Sequence, residues 1–147
     1  MIIFVKNNHT IQIDDFNFKC SVGKNGISKK KIEGDQKTPA GNYKIGNLYF
    51  RNDRLRKPLT KMELVKIKKD MGWCNDVRNS KYNKLCKVNK NIKHEKLYRK
   101  DHKYDFLIPI KYNFYKPIPG KGSCIFIHIT KDYKPTAGCI ALNKNDF

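Results

Sequence analysis

The chain has 147 residues, the length of one domain and enough to bury a hydrophobic core. Hydrophobic residues make up 39% and charged residues 31%, and no run of about 18 apolar residues predicts a membrane span. The 32 Lys and Arg against 13 Asp and Glu give a formal net charge of +19. Such a surface attracts polyanions, including nucleic acid, anionic lipid and acidic cell-wall polymer, although genome-wide compositional drift explains the same excess equally well.

The five cysteines, at positions 20, 74, 86, 124 and 139, favour neither a zinc site nor a disulfide framework. No pair has CxxC spacing, and a domain of this size does not depend on disulfides. The lysines are scattered and no nucleic-acid motif accompanies them, so no nucleic-acid partner is expected. The apolar start at residues 1–5 is too short for a secretory signal, which needs an apolar region of roughly 7–15 residues.

The N-terminal third predicts an antiparallel β-structure. Residues 2–5 and 10–13 are short apolar strands separated by turn formers, and residues 16–20 alternate between apolar and polar side chains with a period of two. Residues 34–41 are dense in turn formers, with glycines on both sides of a Thr-Pro pair. Residues 42–50 follow as a strand.

The middle of the chain, residues 51–103, lacks clear elements and predicts a long irregular loop region of the kind that often forms a binding loop. Within it, residues 60–63 fit a helix capping box, but the segment that follows favours helix and strand equally. Residues 93–103 predict a short helix. Residues 104–112 and 123–129 predict strands, and Pro109 places the former at a sheet edge or a bulge. The fold class is therefore mainly β, with short helices and a long irregular loop region.

The candidate chemistry lies near the C-terminus, where a strand ends on His128 and a short loop leads to Gly138 and Cys139. A cysteine in an apolar segment is usually a small buried hydrophobe, and a lone histidine at a strand end is usually structural. A loop of this length can nevertheless return the chain beside its own strand, so that the imidazole contacts the thiol and lowers its pKa. Such a pair performs nucleophilic acyl transfer, and the N–H groups of Gly138 and Cys139 are candidates for an oxyanion hole.

These residues resemble the catalytic signature of the YkuD-type L,D-transpeptidases, which is a histidine, a spacer, then Ser or Thr, any residue, Gly, Cys and an apolar residue. Here the matching stretch is 128–140. The upstream segment 34–41 is similar to the Gly-Asp-x-x-Thr-Pro-x-Gly motif of that family. Residues 73–76 and 119–128 resemble a small bacterial subgroup of it.

The resemblance implies one catalytic domain over residues 1–147 with a YkuD-like β-sandwich fold. It implies that Cys139 is the nucleophile, that His128 is the base and that the carbonyl of Ile129 orients the ring. The backbone around Gly138 corresponds to the oxyanion hole. No metal or organic cofactor is implied, and the partners are peptidoglycan stem peptides bound by a monomer in the cell envelope.

The chain departs from the family pattern at two positions, because Ala137 and Ala141 stand where many members have His and Arg or Asn. Thr136, Ser123 and Trp73 are predicted to line the substrate groove, with a core role for Trp73 equally consistent with its type. The chain stops at Phe147, where the family usually continues into another strand, so a truncated C-terminus is one expectation. The lack of an export signal leaves a cytoplasmic location open.

A second hypothesis is a catalytically degenerate basic module. Such a module would bind anionic cell-wall polymer or nucleic acid through the +19 surface without thiol chemistry.

Overall fold

The computed structural model describes residues 2–147 and contains thirteen β-strands and no helix in that range. The mainly β prediction is confirmed, and the predicted short helices are absent from these residues. The strands are β1 (Ile3–Val5), β2 (Thr10–Ile13), β3 (Phe16–Ser21), β4 (Ile27–Ser28), β5 (Thr38–Pro39), β6 (Leu48–Phe50), β7 (Leu64–Lys66), β8 (Met71–Cys74), β9 (Leu85–Lys87), β10 (His94–Lys96), β11 (Phe106–Pro109), β12 (Phe126–Ile129) and β13 (Ile140–Leu142).

An eight-stranded sheet forms the frame, in the order β1-β2-β3-β13-β12-β11-β6-β7. Two neighbouring pairs, β12 with β13 and β6 with β7, are parallel, and the other pairs are antiparallel. The remaining strands form a three-stranded sheet, β10-β8-β9, and a two-stranded sheet, β4-β5. The short strands leave much of the chain in loops, and these loops carry the ends of β12 and β13 into the site described below.

Alternation along the central strands divides the core into two clusters, one on each face of the large sheet. The Ile127 cluster contains Ile11, Cys20, Val22, Leu48, Ile108, Ile127, Ile140 and Leu142. The Phe126 cluster contains Tyr49, Ile67, Trp73, Leu97, Tyr104, Leu107, Phe126 and Cys139. Trp73 of β8 contacts Phe126 of β12 edge to face, with ring centroids 5.4 Å apart. The three-stranded sheet therefore covers the face of the large sheet that carries the Phe126 cluster, and the two sheets form a two-layer sandwich.

The predicted helix over residues 93–103 is wrong. His94, Glu95 and Lys96 form β10 instead, which pairs antiparallel with β8. Local helix propensity is worth only a few tenths of a kcal/mol per residue, so pairing with a strand that is distant in sequence overrides it. The ambiguous segment after the capping box is also a strand, β7. The Thr60 hydroxyl does accept the Met62 N–H, at 3.1 Å, but it closes a turn and not a helix.

The edge position predicted for Pro109 is wrong, whereas the alternative prediction of a bulge agrees with the strand register. β11 lies between β12 and β6 in the interior of the large sheet, and Pro109 is its last residue. The Pro109 carbonyl accepts the Gly46 N–H at 2.7 Å. The register between β6 and β11 shifts by one residue between the pairs Leu107–Tyr49 and Ile110–Ile45, which marks a bulge beside Pro109, and a proline is tolerated at a bulge.

Candidate active site

His128 lies in β12 and is only 6% exposed. Its side chain is on the same face of the strand as Phe126, and its ring meets the Tyr104 ring at an interplanar angle of 67° with centroids 5.4 Å apart. The Nδ1 atom is 2.9 Å from the carbonyl oxygen of Ile129. A ring that donates its Nδ1–H to this carbonyl keeps Nε2 as the basic nitrogen, so the predicted orienting carbonyl lies where it fixes the tautomer.

Cys139 immediately precedes β13 and is 8% exposed. The parallel register pairs Ile127 with Ile140 and His128 with Ala141. Ile140 packs in the Ile127 cluster and Cys139 in the Phe126 cluster, which is on the His128 face. The thiol and the imidazole therefore lie on one face of two neighbouring strands, and the small Ala141 side chain is directly beside the histidine.

The thiol and the imidazole are both neutral at pH 7. Burial raises the pKa of the Cys139 thiol to about 12, with a smaller lowering effect from a Phe126 backbone hydrogen bond. Burial also lowers the pKa of His128 to about 4. The sequence predicted a thiol with a lowered pKa. The structure differs because desolvation penalises thiolate and imidazolium alike, and the thiol donates to the Cys124 carbonyl at 3.2 Å.

The loop before Cys139 is closed by Thr136. Its hydroxyl accepts the Gly138 N–H at 3.1 Å and donates to the Cys139 carbonyl at 2.6 Å. Thr136 was predicted to line the substrate groove, and in this structure its hydroxyl is used within the loop. The Gly138 N–H, one of the two predicted oxyanion donors, must exchange this bond to reach a substrate.

The upstream motif at 34–41 packs directly against the loop that precedes Cys139. The buried Thr38 hydroxyl accepts the Gly23 N–H at 2.9 Å and donates to the Gly138 carbonyl at 2.8 Å. Gly138 has φ +138°, and a Cβ added there would lie 2.8 Å from the Lys37 carbonyl oxygen. Glycine is required at this position because the two backbones touch. Residues 100 apart in sequence are thereby joined directly beside the nucleophile candidate.

The acid of the same motif holds its turn together. Asp35 accepts the backbone N–H groups of Ile32 and Lys37 and forms a buried ion pair with Lys31, at 2.5 Å. The Lys31 side chain and the Asp35 carboxylate are both nearly inaccessible to solvent. These bonds fix the conformation of the loop that carries Thr38.

Two predicted groove residues belong to the scaffold. Trp73 is 3% exposed and donates its indole N–H to Asn83 at 3.0 Å, while packing against Phe126. The Ser123 hydroxyl donates to Glu33 at 2.7 Å and is also buried. Neither side chain presents a surface to a ligand in this structure.

Asn83 is a site residue that sequence reasoning missed. Its Oδ1 accepts the Trp73 indole N–H and the Cys124 backbone N–H, and its Nδ2 donates to the carbonyls of Tyr112 and Asn113. The residue thus fixes Cys124, whose carbonyl receives the Cys139 thiol. The sequence held one signal, the single tryptophan, because a buried indole N–H requires a hydrogen-bond acceptor. No local pattern indicated that Asn83 is that acceptor.

Across residues 2–147, no group of three or more His, Cys, Asp or Glu side chains is arranged to hold a metal ion. All five cysteines are free thiols. No helix in the described part of the chain is long and apolar enough to cross a membrane.

The fold and the site together define a mainly β domain in which adjacent parallel strands deliver a cysteine and a histidine to one face. A family model described as YkuD, the L,D-transpeptidase catalytic domain, matches residues 1–147, and the chain belongs to this family. No curated protein and no solved structure matched the chain. At the level of the family, the activity is acyl transfer of the L,D-transpeptidase type on peptidoglycan.

Proposed function

We propose that this protein catalyses cysteine-dependent acyl transfer on peptidoglycan stem peptides, as a monomer in the cell envelope. The observation that carries the proposal is the placement of His128 and Cys139 on one face of the parallel pair β12 and β13, with the imidazole oriented by the Ile129 carbonyl. The full-length family match supports the same reaction class.

In the proposed first step, Nε2 of His128 takes the thiol proton as Sγ of Cys139 attacks the carbonyl carbon of the L,D-peptide bond after meso-diaminopimelate in a tetrapeptide stem. The Cys139 N–H, joined by the Gly138 N–H, stabilises the negative charge that develops on the carbonyl oxygen. Collapse of the intermediate breaks the C–N bond. His128 returns the proton to the leaving amine, and D-alanine departs.

In the second step an amine of another stem attacks the thioester carbon and loses a proton to His128. The C–S bond breaks, His128 returns the proton to Sγ of Cys139, and a 3→3 crosslink forms. Water in the same role gives a tripeptide, which makes the enzyme an L,D-carboxypeptidase. The resting pair is neutral, so His128 is free to accept a proton in either step. A thiol protected by burial also stays unreactive until a substrate reaches it.

The test is incubation with meropenem followed by intact-protein mass spectrometry, in parallel with a D-alanine release assay on a tetrapeptide stem. The wild type is expected to give one adduct, located on Cys139, and to release D-alanine. Cys139→Ala is expected to lose both. Cys86→Ala is the matched control, because Cys86 is 9% exposed and lies outside the site. An adduct that persists in Cys139→Ala would assign the chemistry to another thiol.

The charge of +19 favours a second candidate, a basic module that binds anionic cell-wall polymer without catalysis. It predicts no meropenem adduct, no D-alanine release, and polymer binding that weakens steeply as salt rises. The same protein preparation therefore separates the two functions.

A further inference from the structure

A carboxylate outside the predicted catalytic pair lies one side chain away from it. The buried Tyr104 ring contacts the His128 ring, and the Tyr104 hydroxyl donates to Oε1 of Glu95 at 3.1 Å. The Glu95 side chain is 32% exposed, whereas His128 and Cys139 are buried. Glu95 is therefore a partly exposed carboxylate that is linked to the buried pair through the Tyr104 side chain.

The hydrogen bonds that Glu95 accepts leave half of its carboxylate open. Arg99 donates from Nη1 to the same Oε1 atom at 3.1 Å, while its Nε and Nη2 are committed to Asp101. Among residues 2–147, both side-chain hydrogen bonds to Glu95 fall on Oε1. Because the side chain is 32% exposed and Oε2 accepts no side-chain hydrogen bond from these residues, Oε2 is the atom available to a donor from outside the protein.

The charge of Glu95 acts against the nucleophile in the free protein. After burial, which has the largest effect, its negative charge further raises the pKa of the Cys139 thiol, while Lys31 acts in the opposite direction. A carboxylate that opposes thiolate formation would slow the attack by Cys139 unless the substrate places a cation beside the carboxylate. A bound cation would cancel this charge at the moment when the thiol must lose its proton.

We propose that Glu95 binds a primary ammonium group of the substrate, next to the bond that Cys139 attacks, with Tyr104 as its positioning residue. This inference rests on the proposed function. The ammonium would donate to Oε2, while Tyr104 and Arg99 hold Oε1 in place. The substrate class is therefore a donor stem peptide with a free side-chain amine, because that amine is present when the thiol loses its proton.

The variant that tests this is Glu95→Gln, which keeps an amide oxygen for Tyr104 and Arg99 and removes the charge. For a peptide with a free amine, KM is expected to rise by about tenfold or more. For the same peptide with that amine acetylated, KM should be unchanged. Glu63→Gln, at an exposed glutamate outside this cluster, is the matched control for both peptides.

Two reactions identify the source of the ammonium. A higher KM for hydrolysis of a single tetrapeptide assigns the donor amine. Unchanged hydrolysis with slower transfer to an amine acceptor would contradict the proposal, because the acceptor amine arrives after the thiol has been acylated and must be neutral to attack. The proposal would be overturned if Glu95→Gln raised KM equally for the free and the acetylated peptide, or if its KM values matched those of Glu63→Gln. Glu95 would then be a member of a structural ion pair only.

A second readout does not depend on turnover. Iodoacetamide labelling of Cys139 at pH 7.5, followed by peptide mass spectrometry, is expected to be severalfold faster in Glu95→Gln than in the wild type, because a negative charge is removed. Faster labelling with a KM that rises only for the free-amine peptide indicates loss of the charge, because a loosened site would weaken binding of the acetylated peptide as well. Failure of the proposed function would appear separately, as a wild type that gives neither a meropenem adduct nor D-alanine.

Discussion

The thiol of Cys139 and the imidazole of His128 illustrate how burial sets the state of a reactive pair. Each group loses water and neither gains a charged partner that outweighs the loss, so each stays neutral. The Ile129 carbonyl supplies orientation at little electrostatic cost, since it accepts from a neutral ring. The resting site therefore contains a neutral Cys139 thiol as the proton donor and a neutral His128 imidazole as the acceptor, and the Ile129 carbonyl fixes the tautomer of the imidazole.

His128 predicts an acid-sensitive stability. Burial lowers the His128 pKa to about 4, so below the unfolded value of about 6.5 the unfolded chain binds a proton that the folded protein excludes. The free energy of unfolding should therefore fall as the pH drops from about 6.5 to 4, by about 3 kcal/mol from this group.

Urea unfolding at pH 7 and pH 4 checks this prediction in wild type, His128→Asn and His9→Asn. The His128 variant should lose less stability between the two pH values than the wild type, because it lacks the excluded proton. His9 is exposed and its variant should follow the wild type. An equal acid sensitivity in all three proteins would contradict the lowered pKa of His128.

At the scale of elements, the site depends on one contact between two loops. The segment leading into β13 lies on the segment that forms β5, and Thr38 bonds to both Gly23 and Gly138. The parallel pairing of β12 with β13 then brings His128 and Cys139 to the same face. The motif at 34–41 acts as the support of the nucleophile loop and contributes no reactive group.

Gly138→Ala tests this contact, with Gly34→Ala as its control. Both glycines have positive φ, but an added Cβ meets the Lys37 carbonyl oxygen at 2.8 Å from Gly138 and nothing within 4 Å from Gly34. We expect Gly34→Ala to lose about 1 kcal/mol of unfolding free energy, from backbone strain alone. Gly138→Ala should lose about 3 kcal/mol, because φ +138° is harder for alanine to adopt than φ +79° and because the backbones must also separate.

Urea denaturation gives both values, and the D-alanine assay shows whether the displaced loop also loses activity. Equal losses in the two variants would mean that the loops do not press on each other as the structure indicates.

Prediction of the elements succeeded where local patterns are strong and failed where pairing partners are distant. The alternation of residues 16–20 and the apolar run ending at His128 identified β3 and β12. Residues 93–103 carry a helix-compatible sequence, yet His94 to Lys96 pair with β8. Because this strand places Glu95 beside Tyr104, the error in secondary structure also hid a candidate binding residue.

On the scale of the whole molecule, the charge of +19 is a source of self-repulsion. Thirteen acids cannot pair thirty-two bases, and several of the ion pairs that do form are exposed, such as Asp132 with Lys134. Exposed pairs contribute little, whereas the summed repulsion acts on the compact state.

Added salt should therefore stabilise the protein. Raising NaCl from about 20 mM to 200 mM shortens the screening length, and we expect Tm to rise by about 3–6 °C. The double variant Lys29→Glu/Lys30→Glu changes two exposed lysines and lowers the net charge by four, two for each substitution. Its Tm should respond less to salt, as measured by calorimetry. A Tm that falls with salt would show that attractive pairs outweigh the repulsion.

The sequence by itself determined the mainly β class, the family and the two residues proposed for catalysis, because these depend on residue type and short-range spacing. The tertiary structure alone decided that Thr136, Ser123 and Trp73 are bound into the scaffold and that Asn83 holds Cys124. It also decided that the thiol and the imidazole rest uncharged and that Glu95 lies near them. Register, burial and desolvation arise from residues far apart in the chain, so no local pattern encodes them.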